Sequence, residues 1–308
     1  MTNEAGSPGD RWAAWLLDRR FGGDAAQRDR LLVFLTSVRD EVLRRADVHD
    51  GDTLLDVGCG DGLVGFAAAD LVGPSGRVVF SDISAALLAV CREIAASTGR
   101  TDRNYTGTAD PRFSFVQTGL PALDAIGSQS VDVVTTRSVL IYVSDIAASF
   151  AAMHRVLRPG GRASIFEPIN RFVVDRRTDR LWGFDMTGLE PLVVKVRAEH
   201  DTYDLNTMLG FDERDLIREA EAAGFVDIRL TYQAEITRGG DDARDGHDSV
   251  ESLLAMAPNP LVPTLGEIVS AALEPPEEAA FRERIARELG AGRREVRMAT
   301  TYLSAHRL

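Results

Sequence analysis

Cysteine, lysine and aromatic side chains are scarce in this chain, and each scarcity excludes something. Two cysteines, Cys59 and Cys91, in 308 residues cannot supply a disulfide framework, so a reducing, cytoplasmic setting is expected. Histidine occurs five times. His49, His247 and His306 form no H-E-x-x-H or other ligand spacing, His154 reads as a surface residue of a helix, and His200 reads as a base, a metal ligand or part of a solvated charged run, so no ligand cluster specifies a resident metal. The acidic stretch 241–246 falls short of a calcium loop, because Ala243 takes its third position and Ser252 its twelfth. No run approaches the roughly 18–20 uncharged apolar residues of a membrane span. The first twelve residues lack the basic stretch and apolar core of a secretory signal. Lysine occurs once, as Lys195, so arginine carries nearly all the positive charge. The balance of 35 basic against 47 acidic residues leaves −12. Such a field repels phosphate backbones, and nucleic acid is a disfavoured partner.

What is present is an ordinary globular composition, 44% hydrophobic and 27% charged, enough to bury a sizeable core. Short apolar runs alternate with helical stretches, the pattern of a parallel α/β sheet. The spacing predicts strands over 53–57, 77–82, 112–117, 131–136 and 162–167. Helices are expected to start near Leu63, Ser84, Pro121 and Ser144, the last ending at Arg158 before the Pro159-Gly160-Gly161 turn. A helix over 212–223, a strand over 225–231 and a last strand over 296–304 complete the pattern. Residues 1–10 are polar and read as a frayed start, and residues 11–48 read as helices, with Trp12, Trp15, Leu16 and Arg19 on one face. The segments 169–211 and 233–294 are longer than simple crossings need. The organisation expected is therefore an N-terminal helical cap (1–48) and a core (49–168, resuming at 212–232 and 295–308). Two cap insertions, 169–211 and 233–294, interrupt that core.

The informative segment runs Leu54-Leu55-Asp56-Val57-Gly58-Cys59-Gly60-Asp61-Gly62-Leu63: a buried strand, a glycine-rich turn and an immediate helix. Glycines let a ligand approach the backbone, and a helix start offers free amides. Asp82 closes the second strand some twenty residues later, where a carboxylate can accept hydrogen bonds from both hydroxyls of a ribose. An NAD fingerprint would need glycine at position 63, which is leucine. A P-loop would need lysine at position 66, which is phenylalanine.

Asp56 followed by G-x-G-x-G resembles the first motif of the class I S-adenosylmethionine-dependent methyltransferases. Ser81-Asp82-Ile83-Ser84 is similar to their acidic second-strand motif, and 131–134 followed by Arg137-Ser138-Val139-Leu140 to their fourth. The turn 154–161 is similar to the one before their fifth strand. The resemblance covers about residues 50–232 and implies a doubly wound, seven-stranded, mostly parallel Rossmann-like sheet with helical additions. It also implies S-adenosylmethionine as cofactor and S-adenosylhomocysteine as product. Gly58, Cys59, Gly60 and Gly62 would then carry the methionine portion, with Asp56 orienting that loop or meeting the ammonium. Asp82 would hold the ribose and Ile83 the adenine, with Arg137 and Ser138 also at the cofactor. At the third strand the acid common in the family is missing, and Gln117, Thr118, Gly119 or backbone groups stand in. Cys59 reads as a small loop residue rather than a nucleophile.

A sulfonium methyl is already activated, so the protein must chiefly hold an acceptor in line with it. Carbon or phenolic acceptors also gain from a positioned base. Glu167, at the end of strand five, is the first candidate. The alternatives are that it pairs with an arginine such as Arg171 or caps a backbone amide. Tyr142 is a second candidate, lining the acceptor pocket or merely packing. His200 is a third, within the charged cluster Glu199, His200, Asp201 and Asp204. The function expected is methyl transfer to a small-molecule acceptor, with C- or O-methylation favoured. The competing readings are a protein of this fold that binds the cofactor without transferring methyl, and a macromolecule methylase. A homo-oligomer remains compatible with the sequence.

Overall fold

The computed structural model describes residues 10–20, 25–97, 112–203, 207–238 and 249–308. The acidic stretch 241–246, His247 and Asp204 lie outside them. Helix α1 (Arg11–Ala14), capped by the Asp10 side chain, runs into a π-helical turn (Trp15–Arg19), and α2 (Ala25–Ala46) follows. Then β1 (Thr53–Val57), α3 (Leu63–Leu71), β2 (Arg77–Asp82), α4 (Ala85–Ser97), β3 (Phe113–Gln117) and β4 (Val131–Arg137) succeed one another. They are followed by α5 (Ile146–Val156), β5 (Leu157–Pro168), α6 (Asn170–Val173), the short strands β6 (Arg180–Leu181) and β7 (Phe184–Asp185), and α7 (Glu190–His200). Helix α8 (Glu213–Ala222) leads into β8 (Phe225–Arg238). Helices α9 (Val250–Ala255), α10 (Leu265–Ala272) and α11 (Pro275–Gly290) precede the final strand β9 (Glu295–Arg307).

The chain divides into two compact units. The first comprises residues 36–169, 207–233 and 300–308. The seven-stranded sheet has the order β3-β2-β1-β4-β5-β9-β8. β1 pairs in parallel with β2 and β4, β2 with β3, and β4 with β5, while β9 runs antiparallel to β5. Helices cover both faces of such a sheet, so its central strands read as continuous apolar runs; Leu54, Leu55, Val57, Val133, Val134 and Ile165 are all buried. The strand order reverses between β1 and β4, and ligands of open α/β sheets bind at such a reversal, outside the C-terminal strand ends.

Phe80 anchors the β1–β2 side, with ring centroids 4.8 Å from Phe66, 5.5 Å from Phe113 and 5.1 Å from Phe115. Gly65 in α3 makes room for that ring, since a Cβ there would lie 2.3 Å from Phe80 Cε1.

Three expectations need correction. No helix forms near Pro121: residues 118–130 are turns, with Leu123 and Gln129 at positive φ, a backbone no helix accommodates. Helix α5 stops at Val156, two residues early, and β5 begins at once. Pro159-Gly160-Gly161 therefore sits inside the strand as a bulge, between the pairs Val131–Leu157 and Val133–Arg162, with Gly160 at φ +79°. β8 and β9 also run well past their expected ends.

The second unit comprises residues 1–35, 170–206 and 234–299. It has its own core, in which Phe184, Met186, Val193, Val196, Leu253, Ile268, Val269 and Phe281 are buried together. Its helix starts are well specified: Thr264 and Glu267 form a capping box on α10, as Glu274 and Glu277 do on α11, each satisfying two otherwise orphaned amides. The tryptophan stripe belongs to this unit. Trp15 Nε1 donates to the Ala257 carbonyl at 2.8 Å, which ties the π-helical turn to the second insertion.

Replacing Gly65 by alanine should destabilise the protein by about 1–3 kcal/mol, the usual cost of overpacking, despite alanine's better helix propensity. Urea unfolding measures it, and an unchanged or higher midpoint would mean that the Phe80 ring has room to move.

Candidate active site

The turn after β1 is held from several sides. Cys59 N–H donates to the Ser81 carbonyl at 3.0 Å, and Gly60 N–H to Asp82 Oδ2 at 3.0 Å. Gly58 has φ +64°, and a Cβ there would meet Val139 Cγ2 at 2.4 Å. The turn that follows β4 therefore packs directly on the glycine turn, which only glycine permits. Gly62, at φ +85°, forms the N-cap of α3.

Beneath this turn Asp56 is buried. Its Oδ2 accepts the Gly65 N–H at 2.9 Å and its Oδ1 the Thr135 hydroxyl at 3.2 Å. The carboxylate thus ties β1 to α3 and β4, and both oxygens are engaged within the protein. Burial pushes its pKa up to about 7, against the pull of those hydrogen bonds and of Arg137.

Asp82 stands at the end of β2, nearly buried, with Oδ2 on the Gly60 amide and Oδ1 on the Ser84 amide at 2.9 Å. Beside it Ile83 is 52% exposed, an uncovered apolar side chain at an otherwise covered strand end. Gly119 lies against it, where a Cβ would come within 2.7 Å of Ile83 Cγ2. The Thr118 amide donates to the Asp82 carbonyl at 3.1 Å and its hydroxyl to Asp124 at 2.8 Å. Gln117 Nε2 donates to the Ile83 carbonyl at 3.1 Å, so both side chains brace the loop.

Glu167 is fully buried. Its Oε1 accepts the amides of Val139 at 2.8 Å and Leu140 at 2.9 Å, and Oε2 that of Ile141 at 3.4 Å. It lies within the wall and secures the 3₁₀ turn Leu140–Tyr142 rather than facing an open mouth. Burial raises its pKa to about 7, with the three amides and Arg137 pulling the other way. Arg137 is half-buried at the end of β4, and its charge acts on both Asp56 and Glu167. Among the described residues it has no hydrogen-bond partner. Ser138 follows at φ +56°, its N–H on the Phe166 carbonyl at 2.8 Å.

The structure thus gathers Asp56, Gly58, Cys59, Gly60, Gly62, Asp82, Ile83, Thr118, Gly119, Arg137, Ser138, Tyr142 and Glu167 in the sheet unit. His200 belongs to the other unit, at the end of α7, where burial lowers its pKa. A groove of about 920 Å³ between α2 and α3 includes Gly62 but neither Asp82 nor Ile83, so the cofactor signature converges elsewhere.

Two supporting residues carried no signal in the sequence. Cys91 Sγ donates to the Gly60 carbonyl at 3.3 Å from α4, and Val139 fills the space over Gly58. The Cys59 thiol is driven well above its usual range, first by its hydrogen bond with Cys91 and then by burial, which makes it a packing group. Among the described residues no cluster of three His, Cys, Asp or Glu could hold a metal ion, and no helix is long and apolar enough to cross a membrane.

A seven-stranded sheet with a glycine turn and an acid at the next strand end defines an enzyme of the methyltransferase fold. Comparison with known proteins agrees. Residues 48–176 match a family described as a methyltransferase domain. The chain is 30% identical over 211 residues to the ubiquinone/menaquinone biosynthesis C-methyltransferase UbiE of Francisella philomiragia, covering 63% of this chain and 80% of that one. It is 36% identical over 136 residues to nocamycin O-methyltransferase of Saccharothrix syringae, a match spanning 44% of this chain and only 45% of that enzyme. A solved Bacillus halodurans structure, itself ascribed to the methyltransferases, superposes with a TM-score of 0.52 at 16% identity, covering 88% of this chain and 98% of that one. The chain belongs to the class I S-adenosylmethionine-dependent methyltransferases, enzymes that use S-adenosylmethionine as cofactor.

The residues present fit that cofactor. Ile83 offers an uncovered apolar face at the end of β2, beside the Asp82 carboxylate, and the Arg137 guanidinium has no hydrogen-bond partner among the described residues.

Raised carboxyl pKa values make a stability prediction. Folded Asp56 and Glu167 keep their protons up to about pH 7, whereas unfolded carboxyls lose them near pH 4. The folded state binds more protons in that window, so these groups' contribution is full below it and declines as pH rises to about 7. Glu167→Gln should therefore flatten the stability-versus-pH curve of the ligand-free protein by about 1.4 kcal/mol per pH unit between those limits. Denaturant unfolding across that range reads it, and an unaltered slope would mean that Glu167 is ionised throughout.

Proposed function

We propose that this protein transfers the methyl group of S-adenosylmethionine to a carbon or oxygen of a small-molecule acceptor. The observation that carries this reading is the convergence, at one sheet edge, of the glycine turn, the Asp82 carboxylate, the uncovered Ile83 and the Arg137 guanidinium. Carbon and oxygen are favoured because the two curated relatives compared are a C-methyltransferase and an O-methyltransferase. The charge of −12 suits a small molecule better than a polyanion.

Bound at this edge, S-adenosylmethionine supplies a methyl group already activated on sulfonium. Asp82, at the end of β2 and fixed there by the Gly60 and Ser84 amides, accepts from the ribose hydroxyls. Ile83 and Gly119 pack on the adenine, and Thr118 keeps that loop in place through Asp124. Arg137 pairs with the methionine carboxylate beside Ser138, since a guanidinium fork matches a carboxylate. Asp56, Gly58, Cys59, Gly60 and Gly62 hold the turn that carries the methionine portion. Rate then comes chiefly from holding the acceptor in line.

We assign Glu167 to positioning rather than proton transfer. Its oxygens are occupied by the amides of 139–141 and it has no exposed surface; a general base must reach the proton it removes. Tyr142, on the turn that Glu167 holds, contacts the acceptor. His200 lies in the other unit, at the end of α7, and has no part in this reading.

The test is incubation with methyl-labelled S-adenosylmethionine and a panel of phenols, quinols and enolisable carbonyl compounds, following S-adenosylhomocysteine. Acceptor-dependent release supports transfer. Saturable cofactor binding with no release across the panel supports the non-transferring alternative.

Two substitutions separate the roles. Arg137→Gln should weaken S-adenosylhomocysteine binding about 10- to 100-fold by titration calorimetry, the range of a lost charged hydrogen bond; unchanged affinity would remove it from the cofactor site. Glu167→Gln should weaken cofactor binding and turnover together, because the turn over Gly58 loosens. Loss of turnover at full cofactor affinity would instead restore Glu167 as a base.

A further inference from the structure

The helical unit contains an arginine cluster that the methyl-transfer reading leaves unexplained. Glu295, whose side chain is 4% exposed, is approached by Arg238 at 3.1 Å, Arg177 at 3.4 Å, Arg297 at 3.5 Å and Arg180 at 3.9 Å. Arg177 is also paired with Asp175. A guanidinium carries five N–H donors, whereas one carboxylate offers about four lone-pair positions. Glu295 therefore cannot satisfy the groups around it.

The deficit falls on two of them. The Arg180 guanidinium makes no hydrogen bond to any described residue, reaching Glu295 only at 3.9 Å, although its side chain is only 19% exposed. Its partner across the β6–β7 pair is Asp185, but that carboxylate is turned to the amide and hydroxyl of Thr187. Arg297 has a buried Nε with no partner among the described residues, and its Nη1 reaches Glu295 only at 3.5 Å. Buried donors without acceptors are rare in native proteins and point to a missing water or ion.

The cluster is also held ready. Arg197 of α7 donates to the carbonyls of Asp175, Arg177 and Arg180 at 2.7, 2.8 and 2.6 Å, which fixes the backbone that carries Arg180. The Phe172 ring lies 5.2 Å beneath the Arg297 guanidinium. An ion-pair network serving stability alone would have matched donors to acceptors. Here the unmatched donors are forks, whose planar geometry suits carboxylate or phosphate oxygens.

We infer that the helical unit binds an oxyanion of a small molecule, a carboxylate or a phosphate, between Arg180 and Arg297 beside Glu295. The site lies wholly within that unit, and its existence does not depend on which molecule is methylated.

The test uses the full chain at constant ionic strength, with inorganic phosphate, pyrophosphate or citrate as probe against chloride. Thermal unfolding and calorimetry are run on wild type, Arg180→Gln, Arg297→Gln and the control Arg214→Gln, whose side chain is 87% exposed. Wild type and control should show a saturable rise in midpoint with phosphate or citrate but not chloride, weakened at least tenfold in each of the other variants. The phosphate and citrate arms decide between the two oxyanions. Normal S-adenosylhomocysteine binding by the variants would show that they fold. If they do not fold, Arg180→Lys and Arg297→Lys keep the charge without the fork, and weakened oxyanion binding in them supports the site. No saturable rise in wild type, or a rise undiminished in the arginine variants, would overturn it.

Discussion

Asp56 and Glu167 each bury a carboxylate against backbone amides, and the loops of this site depend on that interaction. An amide at the start of a helix or in a tight turn has no partner within its own element. Burying it without one costs about as much as a lost hydrogen bond. Asp56 meets the amide of Gly65 in the first turn of α3, and Glu167 meets three amides after β4. Both are drawn from the C-terminal ends of parallel strands, β1 and β5, that flank β4, so the sheet itself places them. Those bonds and Arg137 between them offset only part of the desolvation, so both carboxyls stay raised to about 7.

From these two anchors the rest of the edge follows. Glu167 fixes the amide of Val139, Val139 packs on Gly58, and Gly58 opens the glycine turn whose next amides rest on Ser81 and Asp82. The turn is therefore clamped between β2 on one side and the segment after β4 on the other. Cys91 adds a third constraint by donating to the Gly60 carbonyl from α4. Preorganisation of this kind matters in methyl transfer, where geometry contributes more than acid–base assistance.

The second unit has a different logic. Its core is assembled from the two insertions, segments distant in sequence. Capping boxes define where its helices begin. Its charged residues are arranged unevenly, with several guanidinium groups around one buried carboxylate and donors left over. In a chain of net charge −12 such a concentration of cationic donors is a feature of position rather than composition.

Much was legible in the sequence because it is local. β1 and β2 were placed to the residue, since a central parallel strand is a short apolar run bounded by glycines and charges. The glycine turn, Asp82 and Ile83 follow one another within about thirty residues, and a tight turn next to a ligand admits few side chains. Family membership rested on four such local motifs in order. What failed was also physical. The segment after Pro121 has helical composition, but positive φ at Leu123 and Gln129 breaks it, and no spacing announces that. Glu167 at a strand end reads equally well as a base or as an amide acceptor. Only burial and the nearness of Val139, Leu140 and Ile141, 26 to 28 positions away, show which partners it has. Thr135 on Asp56, Cys91 on Gly60, and Arg177, Arg180 and Arg238 on Glu295 also lie outside any sequence window. The sequence determined the strands, the turn and the cofactor class, because those follow from nearest-neighbour chemistry. Tertiary structure alone decided which carboxylates face solvent and which support the backbone, because burial and long-range hydrogen bonding belong to the packed chain.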